Sequence, residues 1–252
     1  MKNHRYLAAF AALLLTAQAG TAAPLDDARA ALKANDLAQA ESLLVPLTAA
    51  DSKDAAAFHS LGQLRERQRN LKEAVAAYDQ ATKLDATKPD YFSALGIALS
   101  QRMGEMNFMQ QAMVAGKMRK AFEKSVELDP RHVSGLIGLS RYYASAPEIA
   151  GGSSEKAQEF ARRVQQLVPF LGEIELGNIA DHDEKYADAL AQYEAAAGHK
   201  PDHAYVQFLC GRMLVKLGRK DEARAHFETA LKLDPKLESA QKALAELDKP
   251  TG

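Results

Sequence analysis

An all-α solenoid of stacked helix pairs is the fold class this sequence predicts, on three observations. Landmark residues recur 34 positions apart: Gly62 and Gly96, Gly177 and Gly211, Ala40 and Ala74, Ala189 and Ala223, Pro201 and Pro235. A fixed period of this length marks a stack of like supersecondary units. Within a unit, small and large residues alternate as two crossing helices require; Phe58, Leu61, Gly62, Ala74, Tyr78 and Ala81 do so over residues 55–88. Small residues let helices approach, and large ones fill the space beside the crossing. Finally, Gly inside a helix costs roughly 1 kcal/mol relative to Ala, so Gly repeated at one phase implies a packing need. A stack of this kind offers a surface rather than a reaction vessel.

The chain opens on a different pattern. Lys2 and Arg5 precede an apolar run, Tyr6 to Ala17, and Ala17-Gln18-Ala19 places small residues where a signal peptidase reads them. Residues 1–19 read as a secretory signal peptide, with cleavage as late as residue 23. The run is too short to span a bilayer. Cleavage removes two cations and no acid, taking the net charge from −1 to −3. A nucleic-acid-binding domain would be basic, so none is expected. The expected location is periplasmic or secreted, without stable membrane insertion. The single cysteine, Cys210, can form no internal disulfide and sits where neighbouring units carry Leu, which marks it as a small core residue.

Six units and a cap follow. Residues 20–54 form a degenerate first unit, marked by Ala40, Leu44 and Leu47. Residues 55–88 are the clearest unit; Asn70 with Glu73 three positions on starts its second helix. Residues 89–132 carry Phe92, Leu95, Gly96, Phe122 and Leu128; residues 133–169 carry Leu136, Leu139, Ser140, Tyr143 and Ala157. Residues 170–203 repeat the pattern with Gly177, Ala189, Tyr193 and Ala196, and residues 204–236 with Gly211, Ala223, Phe227 and Ala230. Asp129-Pro130 and Asp234-Pro235 read as a capping residue followed by Pro in the first helical turn. In residues 237–252, Leu237, Ala240, Leu244 and Leu247 form one apolar face opposite charges, as a terminal helix needs to cover the last open face.

These positions resemble the tetratricopeptide repeat (TPR) family, which places Leu-Gly, Tyr, Ala, an aromatic and Pro in that order along each unit. The resemblance covers nearly all of the chain beyond the leader and implies a right-handed TPR solenoid of about six helix-turn-helix repeats with a C-terminal capping helix. It also implies a groove lined by the first helix of each unit. Carried onto this sequence, the groove comprises His59, Gln63, Ser93, Ile97, Ile137, Arg141, Ile174, Asn178, Tyr205, Phe208, Arg212 and Lys216. Tyr205, Phe208 and Arg212 are spaced to share one exposed face of a helix. TPR domains that grip chaperone tails use a Lys and Asn clamp; His59 and Gln63 stand at the matching early positions here, which departs from that clamp.

Two units are too long. The unit at 89–132 carries about ten extra residues between its helices, with Met103, Met106, Met109, Met113 and Met118 in that stretch. Soft thioethers suit Cu(I), a long helix could pack its methionines on a neighbour, and flexible side chains suit an adaptable binding lip. The unit at 133–169 carries about five, with Pro147 ending one helix, Gly151-Gly152 turning, and Ser153 or Ser154 capping the next.

The chain contains no G-x-S-x-G, H-E-x-x-H, C-x-x-C or phosphate-binding Gly-rich loop with Lys. Asp181-His182-Asp183-Glu184 falls at a helix-pair turn, and His199 and His203 flank Pro201 across another. No catalytic residue, metal ligand or cofactor is assigned, and a non-enzyme is expected. The expected partners are proteins or peptide segments, in envelope protein assembly. The alternatives are a metal- or small-ligand-binding protein using the Met-rich stretch, or an accessory subunit of a cytochrome c maturation or cell-wall enzyme complex.

Overall fold

The computed structural model describes residues 23–249. The expected leader, residues 1–19, lies outside them. The described residues hold thirteen α-helices and no strand. They group into two units, divided after Pro130. The first contains α1 (23–33), α2 (Leu37–Leu47), α3 (Ala55–Arg67), α4 (Leu71–Leu84), α5 (Pro89–Met103) and α6 (Phe108–Leu128). The second contains α7 (Val133–Ser145), α8 (Ser154–Leu167), α9 (Pro169–His182), α10 (Tyr186–His199), α11 (Ala204–Lys216), α12 (Lys220–Leu233) and α13 (Glu238–Leu247). In each unit consecutive helices pair as hairpins and each hairpin packs on the next, so both are stacks of helical repeats.

The pairing rests on one contact. A Cβ added to Gly62 would lie 2.4 Å from the ring of Tyr78, one on Gly96 2.6 Å from Phe122, one on Gly177 2.5 Å from Tyr193, and one on Gly211 2.5 Å from Phe227. All four are closer than any Cβ can sit, so the ring of the second helix occupies the space that glycine leaves open. The remaining two pairs solve the same problem with other volumes. Ser140 stands at the glycine position of α7, and fully buried Ala161 stands where α8 would carry the ring. In the first pair Ala28 faces Leu44, both fully buried. Ala40, Ala74, Ala157, Ala189 and Ala223 are fully buried at the crossing one turn earlier, and Met118 takes that place in the elongated α5–α6 pair.

Local signals set the helix ends. Asp36, Asp54, Asn70 and Ser153 each accept a backbone N–H from the first turn of the helix they precede. Pro89 and Pro169 occupy the first positions of α5 and α9. Four hairpin turns use one left-handed residue each: Asn35, Arg69, Glu184 and Gly218. Asp129 and Asp234, expected to cap the helices after them, instead end the helices before them. Both adopt extended backbone at the C-caps of α6 and α12, and Pro130 and Pro235 lie in the turns that follow. The Asp234 carboxylate accepts the Lys236 N–H at 3.0 Å, and Asp85 does the same for Thr87 at 2.9 Å. An Asx turn therefore explains Asp234 and Asp85 better than a cap.

The long insertions resolve differently. Most of the Met-rich stretch joins α6, which reaches 21 residues and starts on a capping box of Asn107 and Gln110. The Gln111 amide donates to the carbonyls of Met103 and Met106, at 3.2 and 2.9 Å, and so closes the end of α5. Met118 is buried, whereas Met109 and Met113 face solvent, so these two do not pack on a neighbour. The second insertion forms a short 3-10 turn, Glu148–Ala150, with Gly151 left-handed after it. Cys210 is fully buried, and burial pushes its thiol up to about 12. At the far end, Ala240 is fully buried and Leu237, Ala243, Leu244 and Leu247 pack on the last core cluster, so α13 covers that face as a cap. No helix among the described residues is long and apolar enough to cross a membrane.

Gly177→Ser should cost about 1–3 kcal/mol, because the added atoms meet the Tyr193 ring. In a Tyr193→Ala background the same change should cost close to nothing, since it then reproduces the Ser140–Ala161 arrangement. Urea denaturation of the four members of the cycle measures both, and additivity would count against the contact.

Candidate functional site

The first helix of each pair presents side chains that the core does not need, and two clusters of them are well formed. In the first unit, α1, α3 and α5 form an open groove of about 580 Å³ lined by Arg29, His59, Gln63, Asp90, Tyr91 and Ile97. Three expected groove residues, His59, Gln63 and Ile97, thus come together, with Ser93 beneath them. His59 stacks on Tyr91 with ring centroids 4.8 Å apart, and its other neighbour is Tyr78 at 5.4 Å. Burial holds the His59 imidazole below its ordinary range; Asp90 opposes this and Arg29 reinforces it. A floor of neutral imidazole and phenol thus lies between a cation and an anion. Ser60 and Ser93 turn their hydroxyls back to the carbonyls of Ala56 and Asp90, both at 3.0 Å.

In the second unit, α7, α9 and α11 carry the other cluster. Glu175 accepts from Arg141 through both Nε, at 2.9 Å, and Nη2, at 2.6 Å. Arg212 donates to Asp181. The Tyr193 hydroxyl donates to Asn178 at 2.9 Å. The hydrogen bonds that Arg141 donates to Glu175 raise the Arg141 guanidinium above its ordinary value, and the Tyr205 phenol adds to this. Arg141, Asn178, Tyr205 and Arg212 therefore share one neighbourhood. Lys216 lies over the Tyr186 ring at 5.5 Å, one helical turn beyond Arg212. Ile174 is half-buried against the cluster of Phe170, Ala196 and Val206, and Ile137 is half-buried on α7.

Phe208 departs from the expected exposed Tyr-Phe-Arg face. It is only 8% exposed and packs on Phe227 at 5.8 Å, with Tyr205 at 5.8 Å on its other side. Its ring backs the very residue that fills the space over Gly211, so it belongs to the core edge. Tyr205 remains exposed. Sequence reasoning missed Arg29, Asp90, Tyr91 and Glu175, and read Asp181 only as part of a helix-pair turn. For Glu175 a signal was present: it and Glu173 interrupt an otherwise apolar stretch, Phe170 to Gly177.

Comparison with known proteins agrees with this geometry. A family model described as tetratricopeptide repeat matches residues 25–89 and 174–238, together just over half of the chain. The chain belongs to the tetratricopeptide repeat family. Among solved structures, this TPR protein is similar to PilW, described as a widely conserved type IV pilus biogenesis factor. The identity is 15%, the match covers 89% of this chain and 98% of PilW, and the TM-score is 0.73. It is also similar to pilF of Pseudomonas aeruginosa, at 16% identity over 91% and 98% of the two chains with a TM-score of 0.65. A thermophilic TPR protein of Thermus thermophilus matches at 17% identity over 77% and 98%, with a TM-score of 0.62. At these identities the likeness is one of fold. No curated protein matches the sequence.

Because burial depresses the His59 imidazole, the folded state resists its protonation. Stability from this group is complete above about pH 6.5, the unfolded value, and is lost as pH falls through the depressed folded value. His59→Gln should flatten the part of the stability profile that lies below about pH 6.5. Chemical denaturation across that range reads it out.

Proposed function

We propose that this chain is an exported TPR scaffold that binds protein or peptide segments, with a role in assembling envelope proteins. The observation that carries the reading is the content of the first-helix faces. Tyr205, Arg141, Arg212, Tyr91 and Ile97 are large side chains held in order at or near the surface, where helix packing does not require them. Aromatic and Arg side chains dominate binding sites because they combine contact area with few torsions to freeze. The leader supports export, and the pilus biogenesis description of PilW fits an envelope role. TPR proteins are generally scaffolds rather than enzymes, and the faces described here hold ion pairs and ring stacks.

Export predicts a processed chain. Intact-mass measurement of protein from the cell envelope should show a first residue at Gly20 or within a few residues after it; retention of Met1 to Ala19 would overturn the export reading.

Binding predicts a localised loss. Affinity capture from envelope extract with the wild-type chain, with an Ile97→Ser and Tyr91→Ala variant, and with an Arg141→Ala and Tyr205→Ala variant compares the two faces. At least one double variant should lose partners that the wild type retains, while keeping helix content by circular dichroism. Identical partner sets from all three folded proteins would place binding elsewhere.

A further inference from the structure

On the face of α7, α9 and α11 the charges lie in two layers. The acids are underneath: the Glu175 side chain is 4% exposed and that of Asp181 20%. The cations are on top: Arg141 is 64% exposed and Arg212 41%, with Lys216 exposed one turn further along α11. Each acid is bonded to the cation above it. An approaching segment therefore meets guanidinium groups and the half-exposed ring of Tyr205, not carboxylates.

The buried member of this arrangement is informative. Taking a carboxylate out of water is unfavourable, and replacing a buried ion pair with apolar groups is often neutral or stabilising. Glu175 is thus a poor choice for stability alone on a helix as apolar as α9. What it supplies is orientation. By engaging both Nε and Nη2, it fixes the plane of the Arg141 guanidinium and leaves the Nη1 edge free to turn outward. Asn178 accepts a single hydrogen bond from the Tyr193 hydroxyl. A planar cation held in place loses little freedom on meeting a carboxylate.

Resting on the scaffold reading above, we infer that this face takes an acidic peptide segment. Arg141 and Arg212 meet side-chain carboxylates of the segment, Tyr205 meets an apolar or aromatic residue between them, and Glu175 acts as a positioning residue for Arg141. The exposed cations give the segment its charge preference, and the buried acids keep those cations in register.

Fluorescence polarisation tests this with two labelled octapeptides, one alternating Glu and Tyr, the other alternating Lys and Tyr, against the full chain without its leader. The acidic peptide should bind at least about tenfold more tightly than the basic one at low salt, and the difference should shrink at high salt. Arg141→Ala and Arg212→Ala should each weaken the acidic peptide by about tenfold. Glu175→Gln separates orientation from simple charge. Removing a negative charge would tighten an acidic ligand if net charge alone mattered; a positioning role predicts weaker binding instead. Glu175→Leu serves the same test should the Gln variant unfold. Equal affinity for both peptides, no binding of the acidic one, or unchanged affinity in the folded Arg variants would overturn the inference. Binding of both peptides without charge preference would leave the scaffold reading standing; binding of neither, together with identical partner sets in the capture experiment, would remove both.

Discussion

In four of the six hairpins a large side chain of one helix lies where its partner helix has no Cβ, and the remaining packing of those hairpins is arranged around that contact. It brings the backbones of α3, α5, α9 and α11 close to the rings of Tyr78, Phe122, Tyr193 and Phe227. The alanines one turn earlier can then be fully buried at the crossing, and the first helix is held at a fixed rotation. That rotation decides which residues face outward. His59 and Gln63 in one unit, and Arg141, Asn178 and Arg212 in the other, occupy a common side of their helices because the glycine or serine next to them is locked inward. The candidate surfaces are thus a consequence of core volume, not of any preference of the surface residues themselves.

The period made the hairpins legible, because Gly, Ala and aromatic residues recur at a fixed phase only where helices cross closely. Helix starts were legible where a short polar side chain precedes an amphipathic run, as at Asn70 and Ser153. The aspartates before Pro130 and Pro235 were misread because Asp-Pro fits both a helix start and a turn, and only the backbone geometry separates them. Phe208 was misread for a related reason. Its spacing from Tyr205 and Arg212 allows a shared face, but an aromatic side chain is long enough to lean back onto Phe227. The pairing of Glu175 with Arg141 escaped notice because Arg141 lies on another helix pair, and no local pattern joins the two.

The insertions show how much a repeat can be altered without loss of its core. The α5–α6 pair keeps its glycine-ring contact although α6 gains turns at its start, since the added turns extend past the crossing and are tied back by Gln111. What they add is solvent-facing thioether surface at Met109 and Met113. The α7–α8 pair changes more deeply, exchanging both members of the contact, and regains a polar bond when the Ser140 hydroxyl donates to the Ala157 carbonyl at 3.0 Å.

That exchange constrains how such a chain can evolve. A Gly–Tyr pair becomes a Ser–Ala pair only by two substitutions, and each order passes through a handicapped ancestor. Losing the ring first opens a cavity costing about 3–5 kcal/mol; adding the hydroxymethyl first forces overlap costing about 1–3 kcal/mol or more. Ring loss consumes a large part of the roughly 5–15 kcal/mol that holds a typical domain together, and overlap a smaller part. A stack of hairpins tolerates one such step at a time, because neighbouring interfaces contribute separately to its stability. Lineages of this protein should therefore differ by whole pairs at one repeat, and intermediates with a ring facing Ser, or Ala facing Gly, should be scarce among them.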